Sequence, residues 1–166
     1  MSAYEIRIPA NLFHQIHLDL DRPHEFAFER VGFMYCAVAS SEGICTLLGE
    51  TYAPVGDEQY LRSNEYGALV GRDGIRQALE RAYAIKACVV HIHRHEHKGR
   101  PGFSFQDVET NRQLVPTFWN VAPGIPHAAM VLSHDRARSD VWDPKSREIK
   151  AARSIKSVGF RLEELS

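Results

Sequence analysis

The sequence predicts a mixed α and β (α/β, or α+β) domain with a central mixed β-sheet flanked by helices, and three observations carry that prediction. A helical apolar pattern over residues 74–86 leads straight into the strand-like run Ala87-Cys88-Val89-Val90. A second helix pattern begins near Asp107, and two apolar runs around the Ser40-Ser41-Glu42-Gly43 turn read as a hairpin. A helix feeding directly into a strand points to layered α and β structure and away from a pure β barrel.

At 166 residues the chain reads as a single domain, 1–166, long enough to bury a core without disulfides. Apolar residues make up 44% and charged residues 25%, a globular composition. A formal charge of -1 gives no basic field, which argues against a nucleic-acid partner. The N-terminal MSAYEIRIPANLF has no apolar segment flanked by basic residues, and no run is long enough to span a bilayer. The expectation is a soluble, cytoplasmic protein with no membrane partner. Cys36, Cys45 and Cys88 are odd in number, lack CxxC spacing and lie in apolar runs, so they read as reduced core residues.

In chain order, Tyr4 to Ile8 alternates as a short strand, and Leu12, Phe13, Ile16, His17 and Leu20 recur at helical spacing after Pro9. Asp21-Arg22-Pro23 ends that helix. Val31 to Ala39 and Ile44 to Tyr52 form the hairpin, with Glu29 at its entrance and Gly32 just inside. Val55 to Leu69 reads as a loop. Asp73 can cap the next helix, whose buried side is expected to be Ile75, Leu79, Ala82 and Tyr83. Beyond Asp107 the apolar positions Val108, Leu114, Val115 and Phe118 extend a helix, and Pro123 to Pro126 is a turn. Ala128 to Leu132 is a core strand, another hairpin follows through Asp135 to Asp140 with Val141 and Trp142 returning, and Ile155 to Leu162 is the last strand. The basic residues from Lys145 to Lys156 read as one solvated strand face. His127 and His134 are expected to satisfy local backbone groups.

The chemistry concentrates between Cys88 and Asp107. His91, His93, His95 and His97 fall at alternate positions, so an extended chain sets all four on one side. Two imidazoles two residues apart at a strand end can grip one ion, and Asp107 adds a carboxylate after the Gly-Arg-Pro-Gly turn. Nitrogen and oxygen donors of this kind suit zinc. The plainer reading is a histidine-rich surface loop without metal. Ser104 and Asp107 also fit a helix start, with the hydroxyl accepting from free backbone amides and the acid in the positive first turn.

Glu29-x-x-Gly32, then a His-x-His pair, then Ser104-x-x-Asp107, resembles the signature of the JAMM/MPN zinc metalloproteases, and the resemblance covers most of the chain. It implies an MPN/cytidine-deaminase-like fold with Zn2+ held by two histidines and Asp107, leaving a fourth position for water. It implies Glu29 as general base and Ser104 as hydrogen-bond donor to the oxyanion. The ligand pair is open between two registers. Residues 94–103, ten in all, separate His93 from Ser104; residues 96–103, eight in all, separate His95 from it, and the family spacing is shorter than either. His91 and His93 are preferred, because Ile92 then points into the core between the ligands, where the other register would place Arg94.

The resemblance further implies hydrolysis of an amide or isopeptide bond at the C-terminus of a ubiquitin-like protein, as deconjugation or precursor processing. Compact members of this kind accompany activating (E1-like) and conjugating (E2-like) enzymes, including in bacterial anti-phage defence. A substrate tail could add to a strand edge, with Val55 to Leu69 as a flap over it. The alternatives are a non-catalytic MPN-type scaffold and a general small-peptide metal hydrolase. A cupin is disfavoured by the two helices around the site, and an amidohydrolase barrel by length, since about 250 residues are typical of it.

Overall fold

A computed structural model describes residues 3–24, 28–63, 67–159 and 162–165. Chain order is β1 (Ala3–Pro9), α1 (Ala10–Leu20), β2 (Val31–Ser41), β3 (Ile44–Pro54), α2 (Arg72–Ile85), β4 (Cys88–Arg94), α3 (Phe105–Leu114), β5 (His127–Leu132), β6 (Ala137–Trp142), β7 (Ile149–Ala151), β8 (Ser154–Val158) and β9 (Leu162–Glu164). These nine strands form one mixed sheet in the order β7-β6-β5-β4-β2-β3-β1-β8-β9. The predicted mixed α and β architecture is what the chain adopts.

The β2–β3 hairpin closes on Glu42 and Gly43, both at positive φ (51° and 79°), the paired left-handed geometry that suits the twist of two adjacent strands. β4 pairs antiparallel with β2 and parallel with β5. Parallel neighbours need a long crossover, and α3 with the 3-10 turn Val115–Asn120 supplies it.

Being central, β4 is buried along its whole length. Its side chains alternate between two layers: Val90 and Ile92 join Ile6, Leu12, Ile16, Met34 and Met130 beneath α1. Val89 faces the other way, with Phe33, Tyr35, Phe118 and the small residues of α2. By the same alternation His91 and His93 belong to this second layer. The three cysteines are free and buried, as expected. Among the described residues no helix is long and apolar enough to cross a membrane.

Several details differ from the sequence reading. α2 buries Gly74, Ala78 and Ala82, whereas Tyr83 is exposed. The sheet beneath it already carries Phe33 and Tyr35, so the helix turns its smallest residues inward, and the Tyr35 hydroxyl donates to the Ala78 carbonyl at 3.3 Å. Its N-cap is Gly71, and Asp73 lies in the first turn, paired with Arg76 at 3.1 Å. Residues Lys145 to Lys156 do not share one solvated face. They divide among a turn, β7 and β8; Asp143 Oδ1 accepts from the Lys145 and Ser146 amides, and Lys150 Nζ lies 2.6 Å from Asp143 Oδ2. Residues 160–161 of the predicted last strand, and 64–66 of the predicted flap, lie outside the described residues.

Candidate metal centre

The site is built at the C-terminal end of β4. Although the strand ends at Arg94, the His95 amide still donates to the Leu132 carbonyl of β5 at 2.9 Å, which keeps the chain extended one residue further. His95 therefore falls on the same side as His93, and their Nε2 atoms face each other at 3.2 Å. α3 supplies the carboxylate. Ser104 caps it, with Oγ accepting from the Asp107 amide at 3.1 Å, while Asp107 Oδ2 accepts from the Ser104 amide at 2.6 Å. This reciprocal capping box fixes the Asp107 carboxylate before any ligand is considered.

Asp107 Oδ1 stands 3.3 Å from His93 Nε2, and its Oδ2 stands 3.4 Å from His95 Nε2. Burial alone would raise the Asp107 carboxyl, but the hydrogen bonds from His93 and Ser104 outweigh it and hold the group well below the usual carboxylate range. Glu29 closes the group from the other side, with Oε1 3.7 Å from His95 Nε2. Its backbone amide and that of Phe28 both donate to the Gly67 carbonyl, so the end of the Val55 to Leu69 loop lies against it. Gly67 packs directly on the Glu29 carboxylate: a Cβ at Gly67 would come within 2.7 Å of Oε2 and push the carboxylate aside. Burial pushes the Glu29 carboxyl up, and the neighbouring imidazoles offset part of that rise.

Glu29, His93, His95 and Asp107 offer ligand atoms that all lie within 4.8 Å of one another. The separations of 3.2, 3.3 and 3.4 Å match the edge of a tetrahedron, about 3.3–3.4 Å, for bonds of about 2.0–2.1 Å to a central ion. The cluster can hold a metal ion.

Of the sequence-predicted residues, Glu29, His93, Ser104 and Asp107 come together. His91 stands outside this group: its Nδ1 is 3.0 Å from Asn111 Oδ1 on α3, and its ring lies 5.5 Å from Phe33. Burial, reinforced by the neighbouring His93, lowers the His91 pKa to about 4. The second register, His93 with His95, is the one that faces Asp107. This register does turn Arg94 inward, with a side chain only 5% exposed. Its guanidinium is matched there by Asp21 at 2.5 Å and Glu96 at 2.6 Å. The closer spacing of His95 to Ser104 was the sequence signal for this pair. Asn111 carried a fainter one, since it lies one helical turn beyond Asp107 and shares its face.

Glu96 belongs to Arg94 and not to the cluster. His97 is exposed, with Nδ1 2.9 Å from the Lys98 carbonyl. His127 meets backbone as expected: Nδ1 accepts from the Val89 amide at 3.1 Å and Nε2 lies 3.2 Å from the Ala122 carbonyl.

Fold and site together define a mixed α and β protein with a His/Glu/Asp cluster able to bind a metal ion. The chain matches no protein-family model and no curated protein.

Proposed function

We propose that the chain is a zinc-dependent peptidase that hydrolyses the amide or isopeptide bond at the C-terminus of a ubiquitin-like protein, releasing it from a conjugate or trimming its precursor. One observation supports this above the others. Glu29, the His93/His95 pair and Asp107 approach within 4.8 Å from three distant segments, in the order that the JAMM resemblance implies. His93, His95 and Asp107 would hold the ion, and their mixed nitrogen and oxygen donors suit zinc. Bound zinc supplies Lewis acidity, which makes water a nucleophile near neutral pH and polarises a carbonyl.

The remaining work falls to the chain's own side chains. The half-buried Glu29 carboxylate, raised by its surroundings, accepts the proton of the attacking water and delivers it to the leaving amine. Ser104 Oγ, held at the head of α3 by accepting the Asp107 amide proton, turns its own proton to the developing oxyanion. In this reading the partners are a ubiquitin-like protein and the activating and conjugating enzymes that handle it, in a cytoplasmic conjugation system such as those of anti-phage defence.

The test combines metal analysis with cleavage of a ubiquitin-like protein carrying a fluorogenic C-terminal amide. Wild type is expected to hold one zinc and to cleave. Glu29→Gln should keep the zinc and lose about 10²–10⁴-fold in rate, and Ser104→Ala about 10²–10³-fold. Full activity in Glu29→Gln would rule out the mechanism.

A further inference from the structure

We propose that Arg94 is a positioning residue for the metal centre, acting through an ion-paired latch on the opposite face of β4. The inference rests on the metal-binding reading of His93, His95 and Asp107. Arg94 lies between the two histidines in sequence, so alternation sends its side chain to the layer beneath α1 while theirs face α3. A buried guanidinium is costly unless its donors are matched, and this one has two carboxylates. Nη2 lies 2.5 Å from Asp21 Oδ1 and 2.6 Å from Glu96 Oε1, and Nε is 3.2 Å from the same Glu96 oxygen.

The two partners come from different places. Asp21 is the residue that ends α1, whereas Glu96 directly follows His95. The guanidinium thus ties the helix end to the residues on both sides of His95, just where the strand pairing runs out. The His95 amide reaches across to β5, donating to the Leu132 carbonyl at 2.9 Å, while its carbonyl accepts only locally, from the His97 amide at 3.0 Å. Its imidazole must still present Nε2 to Asp107 and Glu29, and a free loop would not hold it there. The latch restrains the His95 backbone from the far side, so that His95 enters the site already oriented. Supporting groups of this kind tune metal affinity by about 10–100-fold.

The latch is tested by titrating the metal-free full-length protein with Co2+ and reading its visible absorption, which reports both affinity and coordination geometry without any substrate. Arg94→Met, which keeps the apolar stem and removes the charge, is expected to weaken Co2+ binding about 10–100-fold and to alter the absorption bands. Asp21→Asn leaves a mostly exposed position and is no threat to folding; it should weaken binding in the same direction by less. In the double variant Asp21→Asn should add little to Arg94→Met, because both break one interaction. Wild-type affinity and spectrum in Arg94→Met, or full additivity in the double variant, would overturn the latch while leaving the metal site in place. A wild-type chain that takes up no Co2+ would overturn the proposed function and the latch together.

Discussion

His91 and His95 are both imidazoles on the same side of one extended segment, yet they meet opposite fates. His91 is enclosed and given a hydrogen-bond partner, Asn111 at 3.0 Å, whereas His95 is turned towards two carboxylates. Replacing them separates the roles. His91→Ala strands the buried Asn111 oxygen and should lower stability by about 1–3 kcal/mol, read by urea denaturation, with zinc content unchanged. His95→Ala should lose the zinc with little change in the stability of the metal-free protein, read by elemental analysis beside the same denaturation curve. Period-two spacing made all four histidines equivalent in the sequence, so it could show that a pair was present but not which one. The choice is made by what stands opposite, Asn111 against one ring and Asp107 against the next. Ser104 and Asp107 were easier to read, because a capping box is a local pattern whose helix-start geometry needs no distant partner.

Among the elements, the β2–β3 hairpin shows how tightly the entrance beside Glu29 is packed. Gly32 lies under the Tyr52 ring, where a Cβ would fall 2.0 Å from the hydroxyl oxygen. That hydroxyl donates to Asp19 Oδ2 on α1 at 2.7 Å, so moving the ring aside would strain or break that bond. Gly32→Ala should therefore destabilise the protein by about 1–3 kcal/mol, measured as a lower thermal midpoint. Strand and helix order was legible because each period is a local property: the hairpin, α1, β4 and α3 all follow from alternation, helical spacing and capping. The buried face of α2 was not, since the pattern names apolar residues without knowing how much room Phe33 and Tyr35 leave beneath them. β7 escaped for a related reason. It is three residues long, and Asp143, which gathers the neighbouring amides and Lys150, decides the turn before it.

At the scale of the molecule, burial of two histidines links stability to acid. His91 and His127 each have their pKa lowered to about 4, first by burial. A folded-state value below the ordinary 6.5 means that the neutral ring is favoured by folding. Their contribution is fully present above about pH 6.5 and is lost as pH falls towards 4. Urea midpoints of the metal-free protein should fall between pH 7 and pH 4.5, and His127→Gln should make that slope shallower even though it lowers the plateau. Metal acts in the other direction: zinc bound to the folded state alone should raise the thermal midpoint, and a chelator should reverse the rise. The long-range pairings that assemble the nine-stranded sheet carry no local signature, and that is why the neighbours of each strand across the sheet, unlike the succession of elements along the chain, could not be read from the sequence.

The distance along the chain between Glu29 and Asp107 has a consequence for the cell that makes this protein. Glu29 is synthesised before β2 and Asp107 only after β4, and neither is near the other until the strands between them have zipped together. A polypeptide still on the ribosome, or a proteolytic fragment cut anywhere between them, carries only part of the metal-binding cluster. Metal uptake at this cluster is thereby made a report on completed folding of everything from β2 to α3.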